Sequence, residues 1–358
     1  MTICVDCRMI NASGIGVYLR ECLPFLLKSA NSFLLLGDAD ILKSFKKNVE
    51  NTVIIGCNIK PFSAGELFFF PKQIAKHINT AGCYYSPFFN IPKGIKIPVF
   101  TTIHDIIFPD LPELTSRLGL AARMWFYRRA FRHSKKIFTV SEFSKSRIKH
   151  YSKNFAPVIV THSAIQPHFL KYRKENINIK KKEHIIFIGN VKQHKGLNYL
   201  LEAFCLAKSE GLPHQLVIIG SKDNFRTVDN TIIKKINSLD PEAVQFTGFI
   251  SGEKLMDCLS AAVLLVQPSL YEGFGLPPLE SMILGTQALI SDIPVFKEIY
   301  KDFPVMFFRA GDTDDLKEKL LSILCNKKPG RIKLPEDLKK RYTFEKTSKI
   351  VLAHLEDK

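Results

Sequence analysis

Short runs of apolar residues recur along the chain, and stretches with apolar residues at helical spacing lie between many of them. Runs of this length, flanked by turn-forming residues, predict buried strands. Strands are predicted over residues 2–5, 33–36, 53–55, 99–103, 137–140, 157–161, 184–189, 216–220, 244–248, 263–266 and 287–291. Because strands that alternate with helices build parallel sheets covered on both faces, the sequence predicts an α/β fold.

The chain has 358 residues, a length comfortable for two domains. The strand–helix alternation occurs twice, and residues 162–167 are interpreted as a linker. We therefore predict a Rossmann-like domain over residues 1–165, a second over 166–340, and a final helix over 341–358. Within the second domain, the lysine-rich stretch 171–182 is predicted to be a surface loop, and helices are predicted at about 231–239 and 254–261.

Residues 267–285 combine a glycine-bearing turn with two prolines where a helix should begin. Proline suits the first helical positions, because its missing N–H would be unpaired there. Free backbone amides and the positive end of the helix dipole then favour an anion over the loop. The loop Gly273, Phe274, Gly275 and Leu276 is therefore predicted to bind a phosphate group.

Two carboxylates frame this loop, Glu272 before it and Glu280 early in the helix. A carboxylate repels a phosphate, so these groups make better sense as acceptors for sugar hydroxyls on either side of a diphosphate. The alternative is structural, with Glu272 capping the loop and Glu280 a solvated helix residue.

Three other positions are chemical candidates. Gly14-Ile-Gly16 precedes an amphipathic helix and is either a phosphate-binding loop or a tight turn. His104 follows a predicted strand, at the edge where open α/β sheets bind ligands, although a structural histidine fits as well. Lys195 is, taken alone, typical of a solvated charge.

The chain carries 51 Lys and Arg against 34 Asp and Glu, for a net charge of +17. This balance favours an anionic partner, whether nucleic acid, an anionic membrane surface or a phosphorylated substrate. Residues 117–153 are strongly basic, and Trp125, Phe126, Tyr127 and Phe131 interleave with the basic residues. They fit an interfacial surface for anionic lipids, an RNA-binding surface, or a solvated helix whose aromatic rings face the core.

The eight cysteines are interpreted as reduced structural thiols, since no export signal is evident. The pair Cys4 and Cys7 lacks the second pair that a zinc site needs. No clustered ligand set indicates a metal, and no apolar run is long enough to span a membrane.

The order Glu272-Gly-Phe-Gly-Leu-Pro-Pro-Leu-Glu280 resembles the E-x7-E signature of family 4 of the retaining glycosyltransferases. The segments Thr-Ile-His104-Asp-Ile-Ile-Phe-Pro and Gly-Asn190-Val-Lys-Gln-His-Lys195-Gly also resemble that family, in the same order along nearly the full chain. The nearest resemblance is to bacterial mannosyl- and related hexosyltransferases that build surface polysaccharide, such as O-antigen or capsule, on a lipid carrier.

The resemblance implies the GT-B fold, with two Rossmann-like domains whose parallel sheets face each other across a cleft. It implies catalytic roles for His104 and Glu272 at the donor sugar and for Lys195 at the diphosphate. Glu280 would bind the ribose, and a glycine loop at Gly14 and Gly16 would close over the donor phosphates. The remaining residues of the nucleotide-sugar site are Asn190, Ile250 and the loop Gly273 to Leu276.

One departure concerns the diphosphate-binding arginine. Many relatives have an arginine where this chain has Asn190, and a second subgroup has one where this chain has His194. His194 or Lys192 is expected to supplement Lys195, or another residue replaces the arginine.

The resulting expectation is a metal-independent retaining hexosyltransferase without a cofactor or an enzymic nucleophile. Its donor would be a nucleotide diphosphate sugar, GDP-mannose in preference to a UDP-sugar, and its acceptor a glycan or a polyprenyl-diphosphate-linked glycan. We expect a cytoplasmic protein, peripheral at the inner face of the cell membrane. The rivals are another GT-B enzyme (a phosphorylase or nucleotide-sugar epimerase), a nucleic-acid-binding protein, and an inactive scaffold.

Overall fold

The protein was analysed as a computed structural model, which describes residues 1–46, 51–153, 155–175, 179–220, 234, 236, 239–250, 252–325 and 330–357. The chain forms two compact units, one of residues Met1–Ala164 with Tyr342–Lys358 and one of residues Ile165–Arg341. The boundaries predicted from the sequence, after residues 165 and 340, differ from these by one residue each.

Unit 1 is built on a parallel sheet with the strand order β3-β2-β1-β4-β5-β6-β7. Its strands are β1 (Thr2–Asp6), β2 (Ser32–Gly37), β3 (Thr52–Gly56), β4 (Cys83–Ser86), β5 (Val99–Thr102), β6 (Ser134–Thr139) and β7 (Val158–Val160). Its helices are α1 (Ser13–Leu27), α2 (Ala39–Lys46), α3 (Ala64–Leu67), α4 (Lys72–Ile78), α5 (Ile107–Asp110), α6 (Arg117–His133) and α7 (Glu142–Ser152), with a 3-10 turn at Pro112–Leu114.

Strand β4 was not predicted, because its four residues Cys-Tyr-Tyr-Ser form too short an apolar run to stand out. It is nevertheless buried throughout and lies between β1 and β5, pairing with both. Central position in a parallel sheet requires burial on both faces, which the four residues meet.

The end of the chain returns to unit 1 as helix α15 (Phe344–Glu356), which packs against α1. Thr343 caps this helix by accepting a hydrogen bond from the backbone N–H of Lys346. The buried hydroxyls of Thr347 and Ser348 donate to the carbonyls of Thr161 and Cys22. These bonds fix the helix in unit 1 by satisfying polar groups that burial would otherwise leave unpaired.

Unit 2 is built on a second parallel sheet, with the order β10-β9-β8-β11-β12-β13. Its strands are β8 (His184–Ile188), β9 (Gln215–Ile219), β10 (Val244–Gly248), β11 (Leu264–Gln267), β12 (Gln287–Ser291) and β13 (Met306–Phe308). The helices of unit 2 are α8 (Pro167–Glu175), α9 (Leu197–Ser209), α10 (Glu253–Ala261), α11 (Pro277–Ile283), α12 (Pro294–Ile299), α13 (Thr313–Cys325) and α14 (Glu336–Lys339), with a 3-10 turn at Gln193–Lys195.

The predictions for unit 2 differ from the structure at the start of the stretch 171–182. The stretch predicted as a loop over residues 171–182 begins inside helix α8, because Phe169 and Tyr172 bury their rings while Lys171 is exposed to solvent. The helix predicted at 231–239 lies mostly outside the described residues. The helix predicted at 254–261 is confirmed by α10.

Candidate active site

Two aromatic side chains, Phe296 and Tyr300, hold the loop that joins β11 to α11 in its conformation. Gly275 has a φ of +80°, and a Cβ there would lie 2.3 Å from Cε1 of Phe296. The Tyr300 hydroxyl donates to the Gly275 carbonyl and accepts from the N–H of Leu279 at 3.2 Å. Pro277 and Pro278 open the helix as predicted. The loop is thus a rigid element at the carboxyl edge of the sheet, where parallel α/β sheets bind ligands.

A second loop, after β8, brings Lys195 to the same edge. Lys195 ends the 3-10 turn, and Gly196 follows with a φ of +68°. A Cβ at Gly196 would lie 1.9 Å from the Pro268 carbonyl oxygen, so only glycine allows this approach. The Leu270 N–H also donates to the His194 carbonyl at 2.8 Å. The two loops therefore touch along their backbones, which places Lys195 beside Glu272.

Lys195 and Glu272 form an ion pair, with Nζ 2.7 Å from Oε1. The same oxygen accepts from the hydroxyl of Ser269 at 2.8 Å, and Ser269 accepts from Nε2 of Gln267 at 3.0 Å. Ser269 and Gln267 are buried. Glu272 is thus a fixed carboxylate whose interactions are with a lysine and a serine, which rules out a purely solvated residue.

Glu280 is different, because its carboxylate makes no hydrogen bond or ion pair with the described residues. It lies half-buried in the first turns of α11, and burial raises the pKa of its carboxyl to about 7. A half-buried carboxylate that accepts no hydrogen bond from the protein is stabilised in its ionised form by a ligand that donates hydrogen bonds from hydroxyls. This is the property expected of a group that binds sugar.

Asn190 and Ile250 lie at the same edge of unit 2. Asn190 follows β8 after one residue, at a point where a Cβ on Gly220 would lie 1.9 Å from the Gly189 carbonyl oxygen. Ile250 follows β10 after one residue and is half-buried. Topology therefore brings the predicted donor residues of unit 2 to one sheet edge.

His194 does not supply the missing positive charge. Burial, with a contribution from Lys195 and Lys192, lowers the pKa of its imidazole to about 3. The ring is therefore neutral at physiological pH, and its buried Nδ1 makes no hydrogen bond with any residue that the structure describes. The expectation that His194 supplements Lys195 as a cation is wrong, which leaves Lys192 as the candidate from that loop.

In unit 1, His104 follows β5, and its Nε2 lies 2.9 Å from the carbonyl oxygen of Pro87. Because a carbonyl only accepts, Nε2 carries the proton and Nδ1 is left as an acceptor. The ring packs edge-on to Tyr18 at 4.9 Å, and burial lowers the pKa of the imidazole to about 4. His104 is therefore a neutral hydrogen-bond acceptor rather than a cation.

Gly14 and Gly16 lie inside the first turn of α1 rather than in a loop before it. A Cβ at Gly16 would come 2.4 Å from the Ile10 carbonyl oxygen, whereas nothing lies within 4 Å of one at Gly14. Only glycine therefore fits at position 16, because the preceding turn approaches it closely. At position 14 there is space for a side chain.

The basic segment around α6 is only partly an exposed aromatic surface. Tyr127 and Phe131 are buried in the core of unit 1, and Phe126 packs on Phe62 at 4.8 Å. Only Trp125 is exposed among the four aromatic residues. For the other three, the interpretation as interfacial residues is wrong, because helical spacing turns them towards the sheet.

Three supporting residues escaped the sequence analysis: Ser269, Phe296 and Tyr300. Ser269 orients Glu272, and the two aromatic residues shape the loop.

The described cysteines are free thiols, and Cys4 and Cys7 are both buried. Within the described residues, no group of three or more His, Cys, Asp or Glu side chains could hold a metal ion. In the part of the chain that the structure describes, no helix is long and apolar enough to cross a membrane.

Comparisons with known proteins agree with this geometry. Residues 169–343 match the family described as glycosyl transferases group 1. The O-antigen chain mannosyltransferase B of Escherichia coli is 25% identical over 250 residues, which cover 67% of this chain and 65% of that relative. The chain thus aligns with slightly less than two thirds of this relative's length.

Solved structures show the same fold. Sucrose-phosphate synthase of Thermosynechococcus elongatus matches with a TM-score of 0.71 at 15% identity, over 99% of this chain and 98% of that one. HepE of Anabaena, solved in complex with UDP-glucose, matches with a TM-score of 0.70 at 14% identity, over 99% of both chains. The predicted α/β fold is confirmed as a GT-B fold, and residues 169–343 match the glycosyl transferases group 1 family.

Proposed function

We propose that this protein is a retaining glycosyltransferase that moves a hexose from a nucleotide diphosphate sugar to a glycan or a polyprenyl-diphosphate-linked glycan. The observation that carries the proposal is the Lys195–Glu272 pair, which lies in the same β11–α11 site as the unpartnered carboxylate of Glu280. Such a donor carries a charged diphosphate between two sets of hydroxyls, those of the ribose and those of the sugar. A cation that pairs with the diphosphate and two carboxylates that accept from the hydroxyls, all at one sheet edge, match this order.

Lys195 would grip the diphosphate, and the amides of the loop Gly273 to Leu276 would add donors. Fixed donors aimed at the charge that grows on the leaving group are usually the largest catalytic contribution. With the diphosphate bound, Lys195 exchanges its partner Glu272 for a phosphate oxygen. Glu272 then accepts a hydroxyl of the donor sugar, so neither charge is left unpaired.

Glu280 would accept hydrogen bonds from the ribose hydroxyls. These hydroxyls stabilise the ionised carboxylate, so binding the ribose lowers the pKa that burial has raised. His104, neutral with Nδ1 as an acceptor, would receive a sugar hydroxyl in unit 1. Gly14 and Gly16 would bring the start of α1 close to the donor phosphates, and Asn190 and Ile250 would line the nucleotide.

For the reaction, we propose that the acceptor oxygen attacks the anomeric carbon on the face that the diphosphate leaves. The bond from the anomeric carbon to the phosphate oxygen breaks, the new glycosidic bond forms, and the acceptor proton passes to the departing phosphate. No side chain forms a covalent intermediate in this scheme. Cationic side chains and amides neutralise the diphosphate in place of a metal.

GDP-mannose is the proposed donor. The relative from Escherichia coli is described as a mannosyltransferase of the O-antigen chain, which supports mannose. The structural neighbour from Anabaena holds UDP-glucose, which makes a UDP-sugar the alternative. The O-antigen relative also supports an acceptor in bacterial surface polysaccharide. We propose that the protein acts at the inner face of the cell membrane.

The test is a transfer assay with radiolabelled GDP-mannose or UDP-glucose and a bacterial lipid extract as acceptor, run with and without EDTA. We expect label in the lipid fraction, release of the nucleoside diphosphate, an anomeric configuration equal to that of the donor, and no effect of EDTA. An inverted product would contradict retention. Release of sugar 1-phosphate that depends on added inorganic phosphate would indicate a phosphorylase.

A further inference from the structure

Two adjacent aromatic side chains, Phe68 and Phe69, protrude from unit 1 between α3 and α4. They are 59% and 77% exposed, although both neighbours in the chain, Leu67 and Phe70, are at least partly buried. Single exposed apolar residues are common on protein surfaces. Two consecutive phenylalanine rings held outside the core mark a surface that contacts something apolar.

The exposed pair is anchored on both sides. Glu66, fully buried, forms an ion pair with Arg8 at 2.6 Å and accepts the N–H of Phe62 at 2.6 Å. Phe70 is buried under the Arg8 guanidinium, which lies 5.6 Å from its ring centroid. The exposure of Phe68 and Phe69 is therefore fixed by a buried network instead of arising from a loose loop.

This tip is continuous with helix α6. The Lys93 ammonium donates to the Phe68 carbonyl at 3.4 Å, and Arg129 donates to the carbonyl of the neighbouring Pro92 at 3.5 Å. The Arg129 guanidinium also lies 6.0 Å from the ring centroid of Trp125, which is 47% exposed. The aromatic tip and the exposed side of α6 thus belong to one surface.

Helix α6 also exposes apolar and basic side chains along its length. Leu118, Trp125 and Arg132 are seven residues apart and so lie on one helical face. Leu118 is 85% exposed, and Arg132 is exposed at the last turn of the helix. The exposed face is therefore apolar over its first turns and basic at its end.

The charge of this surface is almost entirely positive. Between residues 57 and 98 there are five lysines, and the only carboxylate, Glu66, is buried against Arg8. Helix α6 has five arginines and no acidic residue. The cations are Lys60, Lys72, Lys76, Lys93, Lys96, Arg117, Arg123, Arg128, Arg129 and Arg132.

We propose that this surface, formed by Phe68, Phe69, Leu118 and Trp125 with their surrounding cations, seats the protein on an anionic lipid membrane. The rings enter the boundary between headgroups and acyl chains, and the lysines and arginines contact lipid phosphates. The inference deepens the proposed function by naming the surface that meets the membrane, and it rests on that function only for the location of the acceptor.

Lipid fits this surface better than nucleic acid or protein. Leu118 is aliphatic and offers no stacking surface for a base. Lysine is depleted in protein–protein interfaces, whereas the present aromatic side chains are surrounded by it. A protein partner and a nucleic acid would each give a different result from a membrane in the experiment below.

The experiment is sedimentation of the full chain with vesicles of phosphatidylcholine and phosphatidylglycerol at 3:1, against vesicles of phosphatidylcholine alone. The test variants are Phe68→Ser with Phe69→Ser, and Lys72→Glu with Arg128→Glu. The matched control is Phe155→Ser, since Phe155 is also 62% exposed in unit 1. It precedes β7 and so lies at the amino edge of the sheet, opposite the edge where β3 ends.

The wild type and Phe155→Ser should bind the anionic vesicles alike and bind phosphatidylcholine far more weakly. The double phenylalanine variant should lose about tenfold or more in partitioning, the scale set by burying one to two aromatic rings. The double charge variant should lose its preference for anionic lipid. Stabilisation by GDP or UDP should be unchanged in every variant, so failure to bind a nucleotide would count against the proposed function alone.

Equal sedimentation of the wild type and the double phenylalanine variant would overturn the membrane surface. So would equal binding of the wild type to both kinds of vesicle. A change of oligomeric state in the double phenylalanine variant without loss of vesicle binding would assign the rings to a protein interface. Loss of RNA binding in place of vesicle binding would assign the surface to nucleic acid.

Discussion

Lys195 and Glu272, 77 residues apart in the chain, are joined in the structure by a 2.7 Å contact between the Lys195 ammonium and the Glu272 carboxylate. The approach of their loops depends on Gly196, where any side chain would collide with Pro268. The pair keeps both charges neutralised until a ligand offers better partners to each. Under the proposed function, the pair is a preformed site for a molecule that carries an anion next to a hydroxyl.

Replacing Lys195 with methionine should lower kcat/KM for the nucleotide sugar about 10²–10³-fold, because a fixed donor to the leaving group is lost. The affinity for GDP should fall, while the affinity for guanosine, which has no phosphate, should stay the same. The control is Lys317→Met, which removes the surface pair with Glu210 in the same unit. Equal loss of GDP and guanosine binding would argue against a role at the phosphate.

Replacing Glu280 with glutamine should change the pH dependence of stability. The pKa of Glu280 is raised to about 7, so the folded state holds a proton that the unfolded chain has already released above about pH 4.5. Its contribution to stability is thus largest at low pH and is lost as the pH rises through 7. Relative to the wild type, Glu280→Gln should gain up to about 3 kcal/mol between pH 4.5 and pH 8.

Urea unfolding of both proteins at pH 4.5, 6 and 8 measures this difference. A constant difference in the free energy of unfolding across that range would show that Glu280 has the same pKa in the folded protein as in the unfolded chain. It would then lack the dry surroundings on which its proposed role depends.

His104 should remain uncharged far below the usual range of histidine. Because burial lowers its pKa to about 4, its carbon-bound ring protons should show no titration shift in NMR between pH 8 and pH 5.5. The stability that neutral His104 contributes is present above about pH 6.5 and is lost as the pH falls towards 4. His104→Gln, which keeps a polar side chain, should show a smaller loss of stability over that interval than the wild type. A titration midpoint near 6.5 would contradict the buried, neutral acceptor.

Replacing Gly275 with alanine should destabilise the protein by about 2–3 kcal/mol and weaken GDP binding. The new Cβ would collide with Phe296, and the backbone φ of +80° is strained for any other residue. Gly330→Ala, in the same unit, is the matched control, because a Cβ there meets nothing within 4 Å and the backbone φ of Gly330 is not positive. Thermal unfolding of the two variants and of Gly275→Ala with Phe296→Leu separates the collision from the backbone strain. The double variant should recover part of the loss, and no recovery would assign the whole effect to the backbone.

The elements that could be predicted from the sequence are those whose signal is local. Pro277 and Pro278 mark a helix start, so the loop from Glu272 to Glu280 lies on the elements expected. The apolar runs likewise predict eleven of the strands at nearly their observed positions, whereas β4 and β13 are too short to show such a pattern.

What could not be predicted depends on which distant residues meet. The pairing of Lys195 with Glu272 depends on a backbone approach that no local pattern encodes. His194 lost its expected charge through burial, which is a property of the fold and not of the residue. The aromatic residues of α6 were misjudged for the same reason. Spacing gives a helical face, but only the packing of Tyr127 on Phe89 and of Phe131 in a buried cluster shows that these rings are inside.

The most direct test of the donor site is thermal stabilisation by GDP, UDP, ADP and their sugars, measured for the wild type and for Glu280→Ala. At a hundred times its dissociation constant, a ligand adds about 2.7 kcal/mol to the free energy of unfolding. We predict that one nucleoside diphosphate and its sugar, GDP and GDP-mannose, raise the melting temperature and that Glu280→Ala abolishes the shift. An unchanged melting temperature with every nucleotide, or an equal shift in the variant, would contradict the donor site.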